Sequence, residues 1–315
     1  MVKIAVAGPG QVAREIIDGL LATGKHDIIL LSRRDATPAD LIKGTAWVKV
    51  DFLDRQRLVQ ALEGVHTVLS FVTVHQDTDN AVQKALIDAA IEAGVKRIAP
   101  SEWGVANINH LDWYENKLHV RKYLQEKNKD KKVIEYCLFQ PGWFMNYIAG
   151  SRKTLKHIQP TGFIFVDHEN HRARGPGDLA SRVTYTAIRD VVHIVVKAID
   201  YEGEWPEVGG INGHTLSPAE EIKIGEKIRG TPFEVERLDL EDLRAGVVKT
   251  SWLPTLNIPG LAEADSVALS RHILCGMMLH LADGTGFGSD EWNRIFPDYK
   301  FTTVEEFLSG VFTDV

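Results

Sequence analysis

Residues 3–13 read KIAVAGPGQVA, and the organisation of the whole chain can be worked out from that stretch. Residues 3–7 are a short apolar run of the kind that forms a buried strand. They pass directly into Gly8-Pro9-Gly10-Gln11-Val12-Ala13, and over residues 11–23 the apolar side chains Val12, Ile16, Ile17, Leu20 and Leu21 recur at helical spacing. G-x-G-x-x-A between a strand and a helix is the context that a dinucleotide-binding turn requires. Gly8 permits the tight turn, Gly10 lets the main chain approach a pyrophosphate, and Ala13 permits close helix–strand packing. The helix start then offers N–H groups and a positive dipole end to phosphates. An ordinary glycine turn has the same letters, so the downstream sequence must decide between the two.

Downstream, strands and helices alternate. Residues 27–32 (DIILLS), 46–50 (AWVKV), 66–72 (HTVLSFV), 96–100 (KRIAP) and 133–139 (VIEYCLF) predict five further strands. Helices are predicted between them over about 54–63, 79–93 (closed by Gly94) and 114–126. Strands alternating with helices imply an α/β fold with a doubly wound parallel sheet of Rossmann type, in which ligands lie outside the carboxyl ends of the strands. After residue 147 the alternation weakens: residues 160–180 read as a loop or hairpin, and helices are expected over 188–199, 217–229 (opened by Ser217-Pro218), 262–281 and 303–311. The expected division is a dinucleotide-binding domain over 1–147 plus about 183–205, and a second, smaller α+β substrate domain over about 148–182 and 206–315.

Composition narrows the function classes. The 315 residues are 44% hydrophobic and 25% charged, ordinary globular values that argue against a disordered or low-complexity chain. The net charge of −7 opposes attraction to nucleic acid or an anionic membrane surface. Two cysteines, Cys137 and Cys275, make no disulfide framework, and Cys137 lies in an apolar run that suits a small buried side chain. Neither a signal peptide nor a long apolar span is evident, so a cytoplasmic protein is expected.

The end of the second strand reads Leu30-Leu31-Ser32-Arg33-Arg34, with no carboxylate before Asp35. An NAD site places an acidic residue there for the ribose 2′-hydroxyl, whereas arginine meets the 2′-phosphate of NADP. NADP(H) is therefore the expected cofactor, with Arg33 the better reader, since side chains alternate and Arg34 points elsewhere.

With these residues in view, the chain resembles the NmrA-like and isoflavone-reductase-like group of atypical short-chain dehydrogenases, in its fungal-type members. The resemblance rests on the glycine turn, Ser32-Arg33, and Asp51-Phe52. It includes the run from Ala89 to Arg97 that leads into Pro100-Ser101-Glu102-Trp103-Gly104, followed by Lys117. It continues through Gln140-Pro141-Gly142-Trp143-Phe144-Met145-Asn146-Tyr147, Asp190-Val191-Val192, and Phe296-Pro297-Asp298. It implies phosphate contacts at Gly10, Gln11 and Val12, 2′-phosphate recognition at Arg33, and adenine near Asp51 and Phe52. It also implies nicotinamide near Phe71, Val72, Lys117 and residues 141–144, which include Pro141, Trp143 and Phe144. Ala7 and Ala13 stand where the family more often has glycine, and Pro9 removes a donor.

The better-known short-chain dehydrogenases use Ser, Tyr and Lys, with Tyr and Lys four residues apart. Here Trp113 holds that position, while Tyr114 stands three before Lys117 on the same helical face and Ser101 lies upstream. An ammonium beside Tyr114 would lower the phenol pKa and help it exchange a proton. Alternatively, as the family implies, Lys117 itself binds the cofactor ribose and acts as acid or base. Asp167, His168, Glu169 and His171 have metal-ligand character but no compact zinc spacing, and suit a solvated turn. His119 is expected at the surface. The leading reading is an NADPH-dependent reductase acting on a small aromatic or polyketide-like molecule, with a role in secondary metabolism. A non-catalytic NADP(H) sensor acting on a partner protein, and a redox-neutral isomerase or dehydratase, are the alternatives.

Overall fold

The computed structural model describes residues 1–160, 165–254 and 262–312. The chain forms two compact units: Met1–Trp103, Trp113–Gln140 and Val192–Gly209 make the first, and Gly104–Asp112, Pro141–Val191 and Gly210–Val315 the second. The division departs from the expected one at 104–112, 141–147 and 183–191, which belong to the second unit, and at 206–209, which belong to the first.

The first unit holds six parallel strands, β1 (Lys3–Ala7), β2 (Asp27–Ser32), β3 (Thr45–Lys49), β4 (Thr67–Ser70), β5 (Arg97–Ala99) and β6 (Glu135–Tyr136). Their order is β3-β2-β1-β4-β5-β6. The winding direction reverses beside β1, and a crevice opens at the carboxyl ends of such a pair. Helices α1 (Gln11–Ala22), α2 (Arg55–Ala61), α3 (Ala81–Glu92) and α4 (Glu115–Lys127) connect the strands. A sheet covered on both faces needs strands that are apolar throughout, and β1 is buried from Ile4 to Ala7. Small residues let the layers close up: Ala5, Ala7, Ala89 and Ala90 pack with Leu31, Val68 and Ile98 in one core cluster.

Most boundaries shift by one or two residues, and two departures have a visible cause. The run VIEYCLF is not one strand. Glu135 and Tyr136 pair with Arg97 and Ile98, after which β7 (Leu138–Gln140) leaves the sheet and pairs with Val208–Gly210. The helix expected from residue 79 starts at Ala81, because the Asp77 carboxylate accepts from the Val82 and Gln83 N–H groups at 2.8 and 2.9 Å.

The second unit takes in slightly more of the chain than the first, where a smaller one was expected. It contains β8 (Trp143–Phe144), β9 (Val166–Asp167), β10 (Arg172–Pro176), β11 (Val183–Thr186) and α5 (Ile188–Asp200), whose residues from Val192 belong to the first unit. Then come β12 (Val208–Gly210), whose Val208 and Gly209 belong to the first unit, β13 (His214–Leu216), α6 (Pro218–Arg229), β14 (Glu234–Leu238), α7 (Leu240–Arg244), α8 (Glu263–Ala282), α9 (Glu291–Ile295) and α10 (Val304–Phe312). The strands form two three-stranded sheets, β14-β10-β9 and β13-β11-β8. The hairpin expected within 160–180 is β9–β10, while 161–164 lie outside the described residues. Helix α6 starts in a capping box: the Glu220 N–H donates to Ser217 Oγ at 3.2 Å and the Ser217 N–H to Glu220 Oε2 at 2.7 Å.

The turn expected at 167–171 is present over 168–171, but its solvated character is corrected at Asp167 and His168, which are buried. His168 is 1% exposed and meets the fully buried Glu221 at 3.1 Å, while Asp167 is held by Arg172 at 2.9 Å. Antiparallel pairing of β9 with β10 carries these side chains inward. Among the described residues there is no group of three or more His, Cys, Asp or Glu side chains placed to hold a metal, and no helix long and apolar enough to cross a membrane.

Arg97 ties the first unit's sheet to the segment after α5. Its buried guanidinium donates to Glu135 Oε1 at 2.6 Å, the Tyr201 carbonyl at 2.8 Å and the Gly203 carbonyl at 2.6 Å, and lies 5.1 Å from the centre of the Trp205 ring. Arg97→Ala leaves the Glu135 charge with the Trp205 N–H at 3.0 Å but without its cation, and takes the donor from two carbonyls; it is expected to lower stability by about 3–5 kcal/mol, measured as a fall in the urea midpoint. A loss below about 1 kcal/mol would show that these contacts are not structural.

Candidate functional site

Gly8 sits at φ +83°, and a Cβ there would lie 3.1 Å from the Phe71 carbonyl oxygen, so only glycine fits. Main-chain bonds hold the turn from both sides: the Gly8 N–H donates to the Leu31 carbonyl at 3.2 Å, and the Phe71 N–H to the Ala7 carbonyl at 2.7 Å. Gly10 differs. Its backbone is extended, and a Cβ there would meet nothing closer than the Gly8 oxygen at 3.9 Å. The N-cap of α1 is Gly10, which has no side chain to cap the helix, so main chain stands at the helix start with Gln11 and Val12.

A groove of about 390 Å³ runs from this turn across the ends of β1, β2 and β4. Gly8, Gly10, Ser32, Arg33, Arg34, Phe52, Phe71 and Val72 line it together, all of them expected from sequence. Asp51 stands beside Phe52 with its carboxylate accepting from the Leu53 N–H at 3.0 Å. Leu31, Thr73, Gln76, Asp77 and Val82 also line the groove and were not foreseen.

The two arginines have different circumstances. Arg34 donates to both oxygens of Asp40, and Arg14 donates to Asp40 Oδ1 at 2.9 Å and to the Pro9 carbonyl at 3.2 Å. Asp40 also accepts from the Thr37 N–H and hydroxyl, and these donors, Arg34 first, hold its carboxyl far below the usual carboxylate range. Arg33 is exposed and makes no ion pair or side-chain hydrogen bond among the described residues. Arg14 and Asp40 were missed, although Thr37-Pro38-Ala39-Asp40 carries a capping-box pattern that pointed to Asp40.

Beyond Phe71, aromatic rings stack. Trp103 lies 4.4 Å from Phe71 at an interplanar angle of 8° and 5.3 Å from Phe139 at 4°, and its indole N–H donates to the Ser70 carbonyl at 2.7 Å. The PSEWG segment thus braces the end of β4. Ser101 is buried beside it, its N–H donating to Gln83 Oε1 at 3.2 Å, an oxygen that also accepts from the Ser70 hydroxyl at 2.9 Å.

Lys117 is 3% exposed. Its Nζ donates to the Glu102 carbonyl and lies 4.0 Å from the centre of the Tyr114 ring. Burial brings the ammonium down to about 8, with Glu102 opposing the shift and Arg121 adding to it. Tyr114 therefore meets Lys117, but not as a phenol activated by the ammonium. The charge sits over the ring face, and burial raises the phenol pKa instead of lowering it.

The remaining expected residues belong to the second unit. Pro141 is buried ahead of Gly142, which sits at φ +71° where a Cβ would strike Thr184. Trp143 is edge-on to Phe165 and His280, with centroids 6.4 and 6.3 Å away, and Phe144 is edge-on to Tyr147 at 5.7 Å. His119 is at the surface, as expected.

Known proteins share this architecture. The model of the NmrA-like family matches residues 2–308. Oxidoreductase BOA1 of Botryotinia fuckeliana is 29% identical over 240 residues, covering 73% of this chain and 77% of its own. The bifunctional pinoresinol-lariciresinol reductase of Forsythia intermedia is 24% identical, with 97% of each chain covered. The solved structure of an NADPH-dependent quinone oxidoreductase from Escherichia coli superimposes with a TM-score of 0.70 at 22% identity, covering 98% of this chain and 99% of that one.

The two glycines predict opposite stability effects. Gly8→Ala, at positive φ and against main chain, is expected to cost about 1–3 kcal/mol, whereas Gly10→Ala stays within about 0.5 kcal/mol of the parent. Chemical denaturation of both variants checks this, and equal losses would mean that the turn is not built as described.

Proposed function

The chain belongs to the NmrA-like family, and from that premise we propose that it is an NADPH-dependent reductase delivering hydride to a small aromatic or polyketide-like molecule. The observation that carries the reading is the groove of the first unit. There a glycine turn made for close main-chain approach shares one wall with an arginine that has no ion-pair partner among the described residues. The residues fit NADP(H): the open space at Gly10 suits a pyrophosphate, and Arg33 suits a 2′-phosphate. Arg34 is committed to Asp40, which supports Arg33 as the reader.

When bound, NADPH would supply the hydride. This chain supplies the rest. The α1 N-terminus and Gly10 hold the pyrophosphate, Phe52 covers the adenine side, and Phe71, braced by Trp103, walls the nicotinamide side. Lys117 holds the nicotinamide ribose and moves a proton at Nζ, a role suited to a buried ammonium with a pKa of about 8. An aromatic substrate class is supported by the relatives named pinoresinol-lariciresinol reductase and quinone oxidoreductase, and two cysteines outside any disulfide suit a cytoplasmic setting. One observation favours the sensor reading: Tyr114, with its ring under the ammonium and its phenol raised, is not arranged for Ser–Tyr–Lys proton transfer.

Arg33→Ala is expected to weaken NADPH binding by about 1.5–3 kcal/mol and leave NADH binding unchanged, as read by calorimetric titration. An equal loss for both cofactors would remove Arg33 from 2′-phosphate recognition. Lys117→Ala is expected to slow NADPH oxidation by about 10²-fold or more on a panel of aromatic ketones, enones and quinones, with a smaller change in NADPH affinity. Oxidation by neither protein across the panel supports the sensor, and identical turnover in both would exclude Lys117 from the chemistry.

A further inference from the structure

A buried ammonium needs something to hold it, and at Lys117 that support comes from a charge pair that the proposed reaction does not itself use. Glu102 is 2% exposed, and its carboxylate is gripped at both oxygens by Arg121, with Nε–Oε1 at 3.0 Å and Nη2–Oε2 at 2.6 Å. The Gln140 amide donates to Oε2 at 3.3 Å. The main-chain carbonyl of Glu102 accepts from Lys117 Nζ. Arg121 lies one turn of α4 beyond Lys117, so one helix face carries both the ammonium and the group that anchors its acceptor. The charged and titratable groups facing Nζ are Tyr114, across whose ring it lies, Glu102 from the loop after β5, and Arg121 from its own helix.

We propose that Glu102 and Arg121 are positioning residues for Lys117: the two-point grip fixes the Glu102 peptide on which the ammonium docks, and places two opposed charges beside Nζ. The arrangement has a defined sign. The carboxylate favours the charged ammonium and the guanidinium disfavours it, so each partner cancels part of the other's effect. Burial alone disfavours the charged ammonium; a lone arginine beside Lys117 would disfavour it further, and a lone glutamate would offset part of the burial. The pair permits a buried lysine that holds its proton at neutral pH and releases it within about a unit or two above.

This rests on Lys117 as the proton-moving group of the proposed reductase, but its test reads the lysine itself. In the full-length protein with carbon-13 at lysine Cε, the Lys117 resonance, assigned by its loss in Lys117→Arg, is titrated against pH. Glu102→Gln keeps the shape and removes the negative charge, so the Lys117 midpoint is expected to fall by about one unit. Arg121→Met removes the positive charge and should raise it by a similar amount, with Arg121→Lys restoring the parent value. Loosening of the structure would admit water and move every variant upward, so a downward shift in Glu102→Gln is the diagnostic result. If Glu102→Gln does not fold, the Arg121 pair decides: a rise in Arg121→Met reversed in Arg121→Lys supports the proposal. A Glu102→Gln midpoint that is unchanged or raised overturns it, as does an Arg121→Met midpoint that does not rise. Shifts as expected without any substrate turnover would leave the positioning intact and count against the reductase reading alone.

Discussion

The main chain at the end of β1 must pass against the main chain at the end of β4 with no side chain between them. Gly8 meets that constraint at φ +83°, within 3.1 Å of the Phe71 carbonyl measured from the Cβ it lacks. Everything in the candidate site depends on that approach. It joins the neighbouring strands across the switch point, aims α1 into the groove, and leaves Gly10 beside open space. Phe71 is in turn held from behind by the stacked Trp103, whose indole N–H is anchored on the Ser70 carbonyl. Turn, strand end and aromatic brace are therefore packed as one unit.

Two buried carboxylates organise the charge around that unit, and both do so by saturation. Asp40 collects Arg34, Arg14 and Thr37, which takes Arg34 out of competition and links the glycine turn to the end of β2 through the Arg14–Pro9 bond. Glu102 collects Arg121 and Gln140. In each case one cation is fixed by the carboxylate, and a second cation nearby, Arg33 in the first and Lys117 in the second, makes no ion pair with it among the described residues. Burying a carboxylate is costly unless its partners are complete, and both sets are well supplied.

Much of this was legible in the residues. The G-x-G-x-x-A turn, six strands at their positions and the absence of an acid before Asp35 are local patterns, and local patterns survive folding. What was not legible depended on partners distant in sequence. VIEYCLF reads as one apolar strand because nothing within it records that Leu138 pairs with a segment near residue 208. His168 reads as loop because its burial comes from Glu221, 53 positions away. Tyr114 and Lys117 share a helical face as their spacing requires, but spacing does not say whether an ammonium meets a hydroxyl or a ring. Asp40 is recorded in its capping-box pattern, which marks a local acceptor but not the two arginines that the fold brings to it.

The most direct test is a crystal structure of the protein grown with NADP⁺, read as the distances from the 2′-phosphate to the two arginines. The predicted result is a pyrophosphate at the Gly8–Gly10 turn, Arg33 within hydrogen-bonding distance of the 2′-phosphate, and Arg34 still paired with Asp40. A dinucleotide bound away from the turn, or a 2′-phosphate held by Arg34 with Asp40 released, would contradict it.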